Sequence, residues 1–136
     1  MNIFKPALNA AFIFAILGVS IGAMGAHALR ASLTEAGQMD SFETAVKYQF
    51  YHSFALLFAG FLHTVFPSAW VRRATWMFVA GILLFSGSIY LLVYFHAAHV
   101  AFPRPMALLT PIGGVCFIVG WLFLLIGINS KGKTRG

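Results

Sequence analysis

A chain of 136 residues is long enough for one domain, and this one is 60% hydrophobic with only 9% Asp, Glu, Lys and Arg. A water-soluble fold needs roughly 25% charged residues to cover its surface, so most of this surface must face lipid, as the mean hydropathy of +0.87 also requires. The formal charge of +6 does not mark a nucleic-acid-binding protein, because Lys and Arg stand at the ends of apolar runs and in the tail after Ser130, with no basic stripe to track phosphates. The single cysteine, Cys116, rules out an intrachain disulfide and a cysteine-based zinc site. It reads as a small buried hydrophobe.

The first apolar run lies between Lys5 and Arg30 with no charged residue inside it. At ~1.5 Å per residue it can cross a hydrocarbon core of ~30 Å, and the first span is placed at about residues 8–29. Lys5 before the run and the small residues of Ala26-His-Ala28 resemble a secretory leader, but the run is longer than such a leader's apolar region. Gly18, Gly22 and Ala26 recur every fourth residue with Gly25 alongside, a face that lets another helix come close, read as packing inside the monomer ahead of a dimer face.

Residues 30–47 are the most polar part and hold all three acids, Glu35, Asp40 and Glu43. Ser32 with Glu35, and Asp40 with Glu43, have the spacing of capping boxes. They predict a short amphipathic surface helix after Ser32, a break near Gly37 and a second long helix starting after Asp40. Glu43 and Lys47 can pair one turn apart for a few tenths of a kcal/mol. The acids therefore read as a solvated cap, not as catalytic groups.

The second long helix is expected from about Ser41 to Phe66, with its span at 44–66, where Pro67 stops it. Gln49, His52, Ser53, Leu56, Gly60 and His63 share one stripe of it, while phenylalanines and leucines cover the rest. A helix apolar around most of its surface, with one small and polar seam, turns that seam toward other helices in a membrane. Trp70, Arg72, Arg73 and Trp76 then read as an interfacial belt. A third helix is expected at Ala74–Tyr94, with Ser86-Gly-Ser88 at its centre and Tyr90 and Tyr94 marking the far interface. The loop Phe95–Met106 holds Pro103 and Pro105 and is expected to be stiff and extended, with His96 and His99 at the headgroups. Thr110 is expected as N-cap of the fourth helix with Pro111 at its first position, giving a span at about 108–129. Gly113, Gly114 and Gly120 provide a second close-approach face, and Trp121 is expected to fill space inside the bundle.

The expected fold class is an all-α membrane protein, a four-transmembrane-helix bundle with a short amphipathic helix between helices 1 and 2, in a single domain. An even number of spans puts both termini on one side. That side carries Lys5, Arg72, Arg73, Lys131, Lys133 and Arg135, against Arg30, Lys47 and Arg104 on the other. The positive-inside rule makes the richer side cytoplasmic. No internal duplication supports an inverted-repeat transporter.

In that topology His27 lies at the outer end of helix 1, Tyr48, Gln49 and His52 in the outer half of helix 2, Ser86 and Ser88 in helix 3, and Thr110 at the outer end of helix 4. These residues form a candidate polar pocket. Three readings stay open: a structural hydrogen-bond network between helices, a pocket for a lipid, quinone or other amphiphile, and proton or metal chemistry at His27 and His52. The last is weak, because a structural zinc needs four ligands and no carboxylate lies within a span to extend a proton path. Neither metal nor cofactor is expected. No Walker loop, HExxH, GxSxG or paired membrane carboxylate is present. A structural network predicts a filled core, whereas a binding protein predicts a cavity open to the side beside His52.

Four blocks in order, Gly22–Leu29, Thr44–His52, Leu84–Tyr90 and Thr110–Gly114 with Gly120-Trp121, resemble the YgdD-like family, the bacterial domain of unknown function 423. That family is similar to the eukaryotic transmembrane protein 256. The loop Phe95–Met106 departs from the glycine-containing turn of that pattern. The resemblance implies a small four-span bacterial inner-membrane protein with no established activity. The functional expectation is a non-enzymatic membrane organiser or partner subunit, with amphiphile binding or transport as the alternative. Its expected partners are the bilayer, a bound lipid or amphiphile, and another membrane protein or a second copy.

Overall fold

The computed structural model describes residues 3–130, so the tail cations Lys131, Lys133 and Arg135, used above to orient the chain, lie outside the described residues. Among the described residues all regular structure is helical. Helix α1 spans Lys5–Ala26 with Pro6 in its first turn, where no N–H partner is required. The short α2 covers Arg30–Glu35. Helix α3 runs Met39–Val65. Helix α4 (Ala69–Gly81) passes through a π-helical turn, Ile82–Ser86, into α5 (Gly87–Ala97). A 3-10 turn, Arg104–Leu108, leads into α6 (Leu109–Asn129).

Among the described residues three helical stretches are long and apolar enough to cross a membrane: Lys5–Ala26, Ala69–Ala97 and Arg104–Asn129. Helix α3 is long enough at 27 residues, but its polar positions keep it out of that class by composition. α1 packs chiefly on α3 and α4 on α6, while α3 also lies against α4, the π-turn and α5. The buried apolar core falls into two groups. Ala55, Leu56, Ala59, Val71, Ala74, Phe78, Phe117 and Leu124 fill one. Leu33, Phe42, Ala45, Ile89 and Val93 fill the other. Large side chains such as Ile16, Phe54, Phe58, Ile118 and Leu125 point outward, the arrangement a lipid solvent favours.

Several local expectations need correction. Neither proposed capping box forms: α2 starts at Arg30 after Leu29, and α3 starts at Met39 after Gln38, both without a side-chain cap bond. Ser32 is thereby inside its helix. Between the two, Gly37 takes φ +64° and closes a Schellman turn, with Gly37 N–H donating to Thr34 O at 3.1 Å and Gln38 N–H to Leu33 O at 2.9 Å. The third long helix starts earlier than expected because Ser68 caps it, its hydroxyl accepting from Val71 N–H at 3.3 Å. Trp70, Arg72, Arg73 and Trp76 thus lie on the first turns of α4, with the Arg73 guanidinium 4.7 Å above the Trp70 ring.

The proline loop is not extended throughout. Helix α5 ends in a second Schellman turn, where His99 N–H donates to His96 O at 3.0 Å and Val100 N–H to Phe95 O at 2.9 Å. His99 occupies the left-handed position at φ 54° that glycine usually fills. The turn geometry is therefore retained although its usual residue is absent. Thr110 is not an N-cap either. The 3-10 turn feeds α6 directly at Leu109, so Thr110 already lies in the helix and its hydroxyl is free to bond elsewhere.

Candidate functional site

The polar seam of α3 meets three other elements. Gln49 is 3% exposed. Its Nε2 donates to the carbonyl of Phe14 in α1 at 2.7 Å, and its Oε1 accepts from the Tyr90 hydroxyl of α5 at 2.8 Å. Tyr90 reaches Gln49 because helical side chains lean toward the N-terminus of their own helix. One turn earlier on that helix, the Ser86 hydroxyl donates to the carbonyl of Ala45 at 2.8 Å. The π-turn brings Ser86 there, widening the backbone by one residue so that Gly87 N–H bonds Ile82 O. Ser53 bonds back to Gln49 O at 2.7 Å within α3. The hydroxyls of Ser88 and Thr110 pair at 2.6 Å and join α5 to α6.

His52 is buried against aromatic rings. Its imidazole stacks on Phe117 with centroids 3.4 Å apart at 7°, and Phe78 lies 5.6 Å away. Nδ1 lies 2.9 Å from the Tyr48 carbonyl, which can only accept, so the ring proton is assigned to Nδ1. Nε2 is then an acceptor and faces the indole N–H of Trp121 at 3.4 Å. Tyr48 stacks on Phe85 at 4.6 Å and leaves part of its ring exposed.

Beside this cluster an open-sided groove of about 500 Å³ runs between α3 and α6. His52, Trp121, Tyr48 and Phe117 form its aromatic part, and Gly114, Val115 and Ile118 its apolar wall. Trp121 does not fill the bundle as expected: it is 47% exposed and forms part of the groove's rim.

The proposed pocket residues do not all converge. Gln49 and Ser86 act through α3, α1 and α5, Ser88 and Thr110 form a separate bridge, and Tyr48 and His52 border the groove. His27 is exposed at the end of α1. Gln49 contacts α1 at Phe14, roughly 20 Å along the helix from His27. Along α3, Gln49 lies in the N-terminal half and His52 at the midpoint. Two members were missed. Tyr90 read as an interface marker, although it stands one turn from Ser86 and so shares its face. Trp121 read as filler, and only the fold brings it to His52.

The small residues cluster at helix contacts. A Cβ on Gly18 would lie 2.9 Å from the Phe50 ring, on Gly120 2.6 Å from Phe78, and on Gly22 3.4 Å from Val46. One on Gly25 would collide with the Phe42 ring, whereas Ala26 is exposed. At Gly113 the neighbour is backbone, with Phe85 Cα 2.8 Å away. Gly114 has room, Phe85 being 3.9 Å distant. Cys116 is half-buried.

With helices as the only regular structure among the described residues, three stretches of them apolar enough to cross a bilayer, and large hydrophobic side chains turned outward, the chain is an integral membrane protein. The sequence profile described as Protein of unknown function (DUF423) matches residues 21–114, and the chain belongs to that family. It is 34% identical to the UPF0382 inner membrane protein YgdD of Escherichia coli (strain K12), over 91% of this chain and 88% of that protein. It is 35% identical to the UPF0382 membrane protein YwdK of Bacillus subtilis (strain 168), over 84% and 88%. A UPF0382 membrane protein of Staphylococcus aureus (strain bovine RF122 / ET3-1) is 39% identical over 82% and 85%. No solved structure matches the chain significantly.

Proposed function

We propose that the chain crosses the bacterial inner membrane four times, with both termini in the cytoplasm, and works without catalysis by holding an amphiphile in the groove beside His52. The fourth span would be α3. Its Asp40, Glu43 and Lys47 all precede Tyr48, and from Tyr48 to Val65 the helix has no Asp, Glu, Lys or Arg and covers about 27 Å. Lys5, Arg72 and Arg73 then share one membrane face, and Arg30, Lys47 and Arg104 the other. These are balanced three against three, so the cytoplasmic assignment rests on the tail cations Lys131, Lys133 and Arg135, which follow α6 in the sequence.

The observation that carries the binding reading is the groove of about 500 Å³. Its size suits a small-molecule site, and its walls are apolar with a few converging polar atoms. A second reading, a partner subunit or membrane organiser whose seam is purely structural, draws on the pairing of Gln49, Ser53, Ser86 and Ser88. Native mass spectrometry of gently extracted protein separates the two. The binding reading predicts a discrete amphiphile adduct that disappears in Gly114→Leu, a substitution that fills the groove wall. An unliganded wild-type protein, or one carrying a protein partner and no adduct, contradicts it in favour of the second.

A further inference from the structure

We infer that the groove selects a long-chain monocarboxylic acid in its un-ionised form, held by its carboxyl group between Trp121 and His52; this rests on the reading that the groove binds an amphiphile. Two polar atoms on residues that line the groove are complementary in type and share one long hydrogen bond: Trp121 Nε1–H can only donate, and His52 Nε2 accepts because Nδ1–H is committed to the Tyr48 carbonyl. They stand 3.4 Å apart, a long contact that two shorter bonds to a ligand can replace. A ligand head must therefore bring one acceptor and one donor side by side.

A protonated carboxyl does this with two oxygens, its carbonyl accepting from Trp121 and its O–H donating to His52 in near-parallel bonds. A lone hydroxyl fits poorly. One oxygen about 2.9 Å from both nitrogens would subtend them at only about 70°, far inside the near-tetrahedral spread of its donor and acceptor directions. An ester or a quinone ring brings acceptors only and leaves His52 Nε2 unserved. A carboxylate has no proton to donate to Nε2, and it would carry an unpaired charge into apolar walls. The chain has a path: Gly114, Val115 and Ile118 continue the groove as an apolar wall, and Ile118 is exposed toward the bilayer.

The test uses the full chain in lipid nanodiscs with three photoreactive probes of equal length: a diazirine-bearing palmitic acid, its methyl ester and the matching alcohol. Labelled peptides are mapped by mass spectrometry. The acid is expected to label the α6 stretch around Val115–Trp121, to be displaced by palmitic acid, and to do so better than ester or alcohol. Trp121→Phe keeps the ring and removes the donor, and is expected to weaken acid labelling roughly fivefold while leaving ester labelling unchanged. Equal labelling by all three probes, unaffected by Trp121→Phe but abolished by Gly114→Leu, overturns the carboxyl assignment and leaves the amphiphile groove standing. Labelling that Gly114→Leu does not reduce, or none at all, overturns both.

Discussion

Two stretches of the same α3 stripe are finished differently. Around Gln49 the seam is closed: amide, phenol and serine hydroxyls find partners on α1, α3 and α5, and Gln49 is 3% exposed. One turn further on, at His52, the neighbouring α6 offers Trp121 at 3.4 Å and beside it an open groove. Polar residues on a helix of a membrane protein are therefore not one kind of signal. Where the facing helix supplies a short complementary partner, the residue fastens helices. Where the facing residue is large and half-exposed and its hydrogen bond long, the same stripe borders an open groove. A π-turn marks the boundary, since it carries Ser86 into the closed seam and Phe85 into the groove wall.

Substitutions can break this contrast, beginning with the contact that sets the helix spacing. Gly113→Leu drives a side chain into the Phe85 backbone, which cannot rotate away. It is expected to destabilise by about 3 kcal/mol or more, read as a large drop in Tm in detergent and loss of both regions together. Gln49→Leu removes two interhelical bonds and strands the Tyr90 hydroxyl, an expected loss of about 1–2 kcal/mol. In a double-mutant cycle, adding Tyr90→Phe to it should recover part of that loss, because the stranded phenol is gone. Ser86→Ala removes one bond and should lower stability by about 0.6 kcal/mol. Trp121→Phe, on the open side, should shift stability by less than about 0.5 kcal/mol. A Trp121→Phe effect as large as that of Gln49→Leu would mean that His52 belongs to the fastening network after all.

Much of the architecture was legible because lipid solvation imposes a strong pattern: the long uncharged runs between Lys5 and Arg30, between Arg73 and Arg104 and after Arg104 make up most of the helical stretches apolar enough to cross a membrane. The seam was legible too, since Gln49, His52 and Ser53 recur at helical spacing. What stayed hidden depends on the neighbouring helix. The Ser32 and Asp40 boxes satisfy a spacing rule, but α2 and α3 begin earlier, at Arg30 and Met39, so both side chains already lie inside a helix and not at its N-cap. Thr110 looks like a cap until Ser88 is placed opposite it. His27 matched its partners in chemistry but not in depth along α1. The π-turn has no local signature in Ile82–Ser86, and follows from the approach of Gly113 and the reach of Ser86.

The central claim, that the region beside His52 is an open binding groove while the seam around Gln49 is sealed, can be read from Trp121 itself. Replacing the other two tryptophans by Trp70→Phe and Trp76→Phe leaves Trp121 as the single indole, and a fatty acid brominated along its chain serves as quencher in nanodiscs. A saturable loss of Trp121 emission at low quencher-to-lipid ratio, abolished by Gly114→Leu, is the predicted result. Quenching that rises only in proportion to bulk quencher and is the same in Gly114→Leu would contradict it, leaving Trp121 as an ordinary lipid-facing side chain.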